Sequence, residues 1–264
     1  MHLSNILLYP IKSLDGIAVE TASILPGGSL AHDREFALVD EMGRVVNAKR
    51  TAQIQRIRST YDLAARTVTL GVQGEYSRQT FHLDHERSLL EAWFSDYFGY
   101  PVWLQQNLHM GFPDDTDASG PTLVSVATLE TVAAWFPGST LEEMRDRFRS
   151  NLEIAGTPPF WEDQLLAKPG EVVPFQIGEV TLLGNNPCQR CVVPTRHPQT
   201  AAVTAQFQNR FSALRSETLP DWAPISRFNY FYKLTLNTKV PTTEAGKVLR
   251  LGDGVKLAVS PEQP

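Results

Sequence analysis

Short extended runs broken by tight turns dominate this sequence, and they limit its fold more than any single residue does. Phe36-Ala37-Leu38-Val39 and Arg44-Val45-Val46 flank Asp40-Glu41-Met42-Gly43, where Gly43 can supply the positive φ a tight hairpin requires. Tyr61-Asp62-Leu63 and Thr67-Val68-Thr69-Leu70 flank a second turn at residues 64–66. Further strand-like runs lie at 179–183, 247–251 and 255–259, and the last two read as a hairpin around Gly252-Asp253-Gly254. Helical periodicity is sparse. The clearest case is 86–98, where Leu89, Leu90, Trp93, Phe94, Tyr97 and Phe98 share one face before Gly99 and Pro101 end it. Two shorter patterns follow, Leu129, Val132, Ala133 and Phe136, then Leu141, Met144 and Phe148, with Thr140 and Glu143 spaced as a capping box. Strands without regularly alternating long helices predict barrels and not a doubly wound sheet. The expected class is therefore mainly β with short helices (α+β).

A chain of 264 residues makes one large domain or two modest ones. The turn-rich stretch 111–121, with three acids and few apolar anchors, marks the expected boundary or a mobile loop, giving domains 1–115 and 116–264. A net charge of −5 argues against a surface built to neutralise nucleic acid, while leaving room for a local basic pocket. No run approaches the ~20 apolar residues of a membrane helix. Residues 1–13 lack the basic start of a signal peptide, and two cysteines cannot make a secreted disulfide framework, so a cytoplasmic location is expected. The P-loop, the dinucleotide glycine fingerprint, His-Glu-x-x-His and Gly-x-Ser-x-Gly are all missing.

The one concentrated chemical signal is Asn185-Asn186-Pro187-Cys188-Gln189-Arg190-Cys191. A guanidinium between two thiols favours the thiolate, the form that binds soft metals. A redox dithiol, half of a zinc site and two inert buried cysteines are all compatible with it. Zinc would need ligands from elsewhere, and Val192-Val193-Pro194 cannot continue the helix that a thioredoxin-type motif begins. His82 and His85 bracket Leu83-Asp84 without a third ligand nearby, and read as surface or strand residues. Lys12-Ser13, Asp33-Arg34, Arg147-Phe148-Arg149 and Arg190 form a second signal, because Arg binds oxyanions bidentately and Ser adds a hydroxyl donor. Ordinary surface charges remain the alternative for each.

Tyr9-Pro10-Ile11-Lys12-Ser13, Ala31-His32-Asp33-Arg34-Glu35-Phe36, Phe148-Arg149-Ser150-Asn151 and Pro187-Cys188-Gln189-Arg190-Cys191, in that order, resemble the MOSC family, named for the molybdenum cofactor sulfurase C-terminal domain. The resemblance covers nearly the whole chain and includes the N-terminal β-barrel domain that often precedes MOSC. In layout it is similar to the mitochondrial amidoxime-reducing component and its bacterial counterparts. It implies a molybdenum–pterin cofactor between the two domains, with Cys191 as the metal ligand and catalytic centre. Lys12, Ser13 and Arg34 would hold the cofactor from the N-terminal domain, and Ser125, Arg149, Asn151 and Arg190 from the MOSC domain. Ser150 stands where the family has proline, and Arg227-Phe228-Asn229-Tyr230-Phe231 only approximates its Phe-Gly-x-aromatic stretch. Glu162-Asp163 fits a family pattern with a role open between active-site polarity and structure. The implied activity is an oxidoreductase that reduces small N-hydroxylated compounds, fed by a separate reductase because two cysteines cannot hold an iron–sulfur cluster. No nucleic acid or membrane partner is expected. The alternative is a non-catalytic carrier of the cofactor or of sulfur as a Cys191 persulfide.

Overall fold

Alternating burial along short extended runs builds the sheets, as in the stretch where Val180, Leu182 and Gly184 turn inward while Thr181 and Leu183 lie nearer the surface. The computed structural model describes residues 1–257. The strands are β1 (His2–Leu8), β2 (Ile17–Val19), β3 (Thr21–Ser23), β4 (Phe36–Asp40), β5 (Ile57–Asp62), β6 (Thr67–Val72), β7 (Arg78–His82) and β8 (Val102–Gln106). They continue with β9 (Leu123–Ser125), β10 (Leu152–Ala155), β11 (Val173–Ile177), β12 (Val180–Gln189), β13 (Lys233–Lys239), β14 (Val248–Arg250) and β15 (Val255–Leu257). The α-helices are α1 (Arg87–Phe98), α2 (Val126–Ala134), α3 (Leu141–Phe148) and α4 (Phe207–Glu217). The mainly β class with short helices is thus the observed one.

The principal sheet has eight strands in the order β15-β11-β12-β13-β9-β10-β1-β2. Its pairs are antiparallel apart from β9 with β10, which are parallel. A parallel pair needs a crossover, and α2 and α3 provide it. The sheet curls until its ends nearly meet. Leu3 N–H donates to the Asp253 carbonyl (2.8 Å), Gly252 N–H donates to the Leu3 carbonyl (2.8 Å), and a single bridge joins His2 to Gly254. Inside the curl lie Leu3, Ile6 and Leu8 from β1 with Leu123, Ile154, Phe175, Leu182 and Leu236. The N-terminal strand therefore belongs to the same core as the C-terminal half. A second core gathers the three-stranded sheet β5-β6-β7, the pair β4-β8 and α1. A third, largely aromatic, lies beneath α2, α3 and α4.

Both early hairpins form. Asp40 N–H donates to the Arg44 carbonyl (3.0 Å) across a turn in which Gly43 has φ +70°, and Tyr61 faces Val68 in the β5–β6 ladder. The helix at 86–98 forms too, but its buried stripe is Leu90, Phe94 and Phe98, while Leu89 is exposed. The Thr140 hydroxyl accepts from Glu143 N–H (3.1 Å) as half of a capping box, and the Glu143 carboxylate turns to Arg147. The expected C-terminal hairpin does not form among the described residues. β14 pairs with β3 and β15 with β11, so Gly252-Asp253-Gly254 is a corner between two sheets, and Ala258 and Val259 lie outside the described residues.

Candidate functional site

Four chain segments end at one cavity of about 460 Å³. The first follows β1. Lys12 N–H donates to the Phe36 carbonyl (2.8 Å) and Arg34 N–H to the Tyr9 carbonyl (2.8 Å), which draws Lys12 and Ser13 beside the second segment, the turn before β4. The third is the end of the crossover. Arg149 caps α3 in the left-handed conformation (φ +51°) and reverses the chain into β10. The fourth is the end of β12, where the ladder with β13 slips between Pro187 and Gln189, the kind of irregularity that re-aims side chains beside a site. That slip delivers Cys188 and Cys191 to the cavity wall. Ser13 and Arg34 also sit at positive φ (+73° and +49°). A non-glycine residue in this region costs ~1 kcal/mol or more, and such costs concentrate at functional sites.

The cavity is strongly charged. Lys12, Arg34, Lys49, Arg58, Arg149 and Arg190 line it together with Asp15, Asp33, Asp114, Asp115 and Asp146. Tyr9 acts as a platform, with the guanidinium of Arg149 4.0 Å and that of Arg34 5.2 Å from its ring centroid. Each such contact contributes ~1 kcal/mol, and together they hold two cations side by side. Burial pushes the Tyr9 phenol well above its ordinary range, so it stays neutral beneath them. Arg149 donates to the Leu14 carbonyl (2.6 Å), and Arg34 pairs with Asp33. Burial lowers the Lys12 ammonium, and Asp114 opposes that at 2.8 Å. Arg190 donates from Nη1 to the Cys188 sulfur (3.1 Å) and from Nη2 to the Phe148 carbonyl (2.8 Å), while its buried Nε has no partner. Both cysteines are free thiols.

Of the residues expected at a site, Lys12, Ser13, Arg34, Arg149, Asn151, Arg190 and Cys191 all line this cavity. Asn151 works from behind. It is buried, its Oδ1 accepts from Thr122 N–H (3.2 Å) and Oγ1 (3.2 Å), and its Nδ2 donates to the Leu7 carbonyl (3.0 Å). It thereby locks β1 to the start of β10 and leaves Oδ1 3.5 Å from Arg34. Ser13 Oγ accepts from Ala48 N–H at 3.4 Å.

Ser125 stands apart from these residues. It is fully buried and does not line the cavity, because it ends β9 on the side of Glu162, whose carboxylate takes its N–H (3.2 Å), and its hydroxyl donates to the Pro158 carbonyl (3.3 Å). Arg147 is not free as an anion-binding group. It borders the cavity, but its guanidinium is spent on the carbonyls of Pro194 and Arg196, on Thr204 Oγ1 and on Glu143. Glu162 and Asp163 also lie away from the cavity, buried beside Arg215, which pairs with Asp163. His82 and His85 stack 4.2 Å apart, and among the described residues no three His, Cys, Asp or Glu side chains gather as a metal site. Sequence reasoning missed the platform role of Tyr9 and the presence of Lys49, Arg58 and Asp114. Tyr9 and Arg149 are too far apart in the chain for spacing to join them.

The donor set suits a particular kind of ligand. Several cations and a hydroxyl offer oxyanion binding, Arg190 keeps a buried donor in reserve, and Cys191 presents a soft sulfur without a hydrogen-bond partner among the described contacts. The volume is that of a small-molecule or cofactor site.

Comparison with known proteins matches this layout. The MOSC N-terminal beta barrel domain matches residues 1–101, and the MOSC domain matches residues 117–256. The chain belongs to the MOSC family. Relatives of this MOSC protein include the molybdenum cofactor sulfurase of Oryza sativa subsp. japonica, 23% identical over 248 residues that cover 77% of this chain and 29% of that protein. The molybdenum cofactor sulfurase of Danio rerio is 25% identical over 261 residues, covering 81% and 30%. Molybdenum cofactor sulfurase 1 of Aedes aegypti is 38% identical over 73 residues, covering 28% and 10%. The chain spans less than a third of the length of these relatives. Among the described residues no helix is long and apolar enough to cross a membrane.

Proposed function

We propose that this MOSC protein binds a molybdenum–pterin cofactor in the cavity and reduces small N-hydroxylated compounds with electrons from a separate reductase. The observation that carries this reading is the convergence of Cys191 with Lys12, Arg34, Arg149 and Arg190 from four chain segments. Cys191 would be the protein's ligand to the metal, and the missing cluster of further protein ligands among the described residues suits a metal whose other donors belong to its cofactor. Lys12, Ser13, Arg34 and Arg149 would hold the pterin phosphate, Arg190 would steady the sulfur-bearing end of β12, and Asn151 would keep Arg34 in register. When bound, such a cofactor supplies two-electron oxygen-transfer chemistry. The chain supplies the fixed cations, which need no rearrangement to meet an anion.

Elemental analysis of protein made in a cofactor-competent host, beside Cys191→Ala, tests the reading. Molybdenum near one per chain in the parent and lost in the variant is the expected result, followed by reduction of an N-hydroxylated base with an artificial electron donor. Absence of molybdenum from a folded parent would overturn it. The name that the relatives share, molybdenum cofactor sulfurase, favours a second reading in which Cys191 carries a persulfide. A one-sulfur mass adduct on Cys191 without metal would select that reading.

A further inference from the structure

Residues 111–120 run along the wall of the cavity, fastened at both ends and tied between them through Asp114 and Asp115. At one end Phe112 N–H donates to the Arg34 carbonyl (2.9 Å). Gly111 sits at φ +61° there, and a Cβ would lie 2.6 Å from the Asp33 carbonyl, so only glycine fits. At the other end Gly120 N–H donates to the Thr238 carbonyl (3.0 Å) and Ser119 Oγ to the Gly27 carbonyl (2.6 Å). Between them, Asp114 pairs with Lys12 (2.8 Å) and Asp115 accepts from Asn237 (3.2 Å). Lys12 also donates to the carbonyl of Phe112 (2.8 Å). The one lysine expected to meet an anion thus spends two donors on this segment.

The two partners in that pair are unequal. The Lys12 side chain is 10% exposed and the Asp114 side chain 63%. A nearly buried ammonium needs a counter-charge at all times, whereas a mostly exposed carboxylate is already largely hydrated and can give way to another anion. Although burial works against its charge, Lys12 and Arg34 hold Asp114 well below the ordinary carboxylate range, so it is anionic at neutral pH. A negatively charged oxygen pair therefore already sits where an oxyanion would.

We propose that residues 113–117 are a displaceable anionic strap, in which Asp114 fills the oxyanion subsite at Lys12 until a phosphate-type ligand takes its place. The proposal rests on the reading of this cavity as an anion site, but on neither molybdenum nor Cys191. The exchange leaves the Lys12 ammonium with an anionic partner throughout. It also predicts that affinity is reduced by the fraction of time the strap is seated.

Inorganic phosphate titrated calorimetrically into the ligand-free 264-residue protein is the test, on the parent, Asp114→Asn, Asp115→Asn and Lys12→Ala. A strap seated about ten to one would make Asp114→Asn bind about tenfold tighter than the parent. Asp115→Asn removes the same charge without freeing Lys12 and should gain far less. Amides of residues 112–118 should exchange faster in the parent when phosphate is added. Equal gains in the two variants, or no gain in Asp114→Asn, would overturn the strap while leaving an anion site that Lys12→Ala abolishes. Phosphate binding indifferent to Lys12→Ala would overturn both the strap and the anion reading beneath it.

Discussion

Glu162 sits in a site 2% exposed, where its Oε2 accepts from Ser125 N–H and Thr128 Oγ1 (3.0 Å) and its Oε1 has no partner. Burial, with the neighbouring Asp163 charge added, pushes its carboxyl up to about 8. An unfolded glutamate titrates near ~4.3. Between those values the folded chain keeps a proton that the unfolded chain releases, so this group's contribution to stability falls as pH rises and levels off above about 8. Glu162→Gln removes that slope. Its thermal midpoint should gain on the parent's progressively from about pH 5 to about pH 9, and parallel curves would show that Glu162 does not carry the proton. The same residue scale separates Arg147 from Arg149. Two positions apart in sequence, they meet opposite fates because α3 ends between them, turning one guanidinium into the interior and the other onto Tyr9.

At the scale of elements, α3 is tied through Arg147 to the segment that follows Cys191. Nη1 donates to the Arg196 carbonyl (2.8 Å), Nη2 to Thr204 Oγ1 (2.8 Å), and the guanidinium lies 4.7 Å from the Phe207 ring centroid. Arg147→Ala leaves Glu143 and the carbonyls of Pro194 and Arg196 without this partner, and should lower unfolding free energy by about 3 kcal/mol in urea denaturation. A loss below about 1 kcal/mol would show that the segment is held by other contacts. Elements whose partner is close in sequence were legible before the structure: both early hairpins, α1, and the two crossover helices. Pairing over long distances was not. Gly252-Asp253-Gly254 has the same turn chemistry in a hairpin and in a corner, and nothing local tells β14 to seek β3 or β15 to seek β11. For the site, the ordered motifs pointed to Lys12, Ser13, Arg34, Arg149, Asn151, Arg190 and Cys191, all of which line the cavity. Ser125 lies apart from them, because its surroundings are set by Glu162, distant in sequence and only brought near by the fold.

For the molecule as a whole, β1 is the element that cannot be spared. It pairs with β10 on one side and β2 on the other, supplies Leu3, Ile6 and Leu8 to the core of the curled sheet, and leads directly through Tyr9 to Lys12 at the cavity. Residues 116–264 expressed alone should therefore lack a cooperative thermal transition, with near-ultraviolet dichroism restored on adding residues 1–115. A sharp transition in the isolated half would contradict this account of the core. Net charge, −5 for the chain, says little about a cavity lined by several separate cations, since charge that matters to a ligand is set within about a Debye length of it.

Ser13, Arg34 and Arg149 reach the cavity wall from backbone conformations that glycine would adopt more comfortably. Glycine at any of the three would relax the backbone but remove a hydroxyl or a guanidinium, along with the contacts that Arg34 and Arg149 make over Tyr9. The charged wall of the cavity is thus kept against the backbone's own preference, so its chemistry is carried where the chain is least at ease.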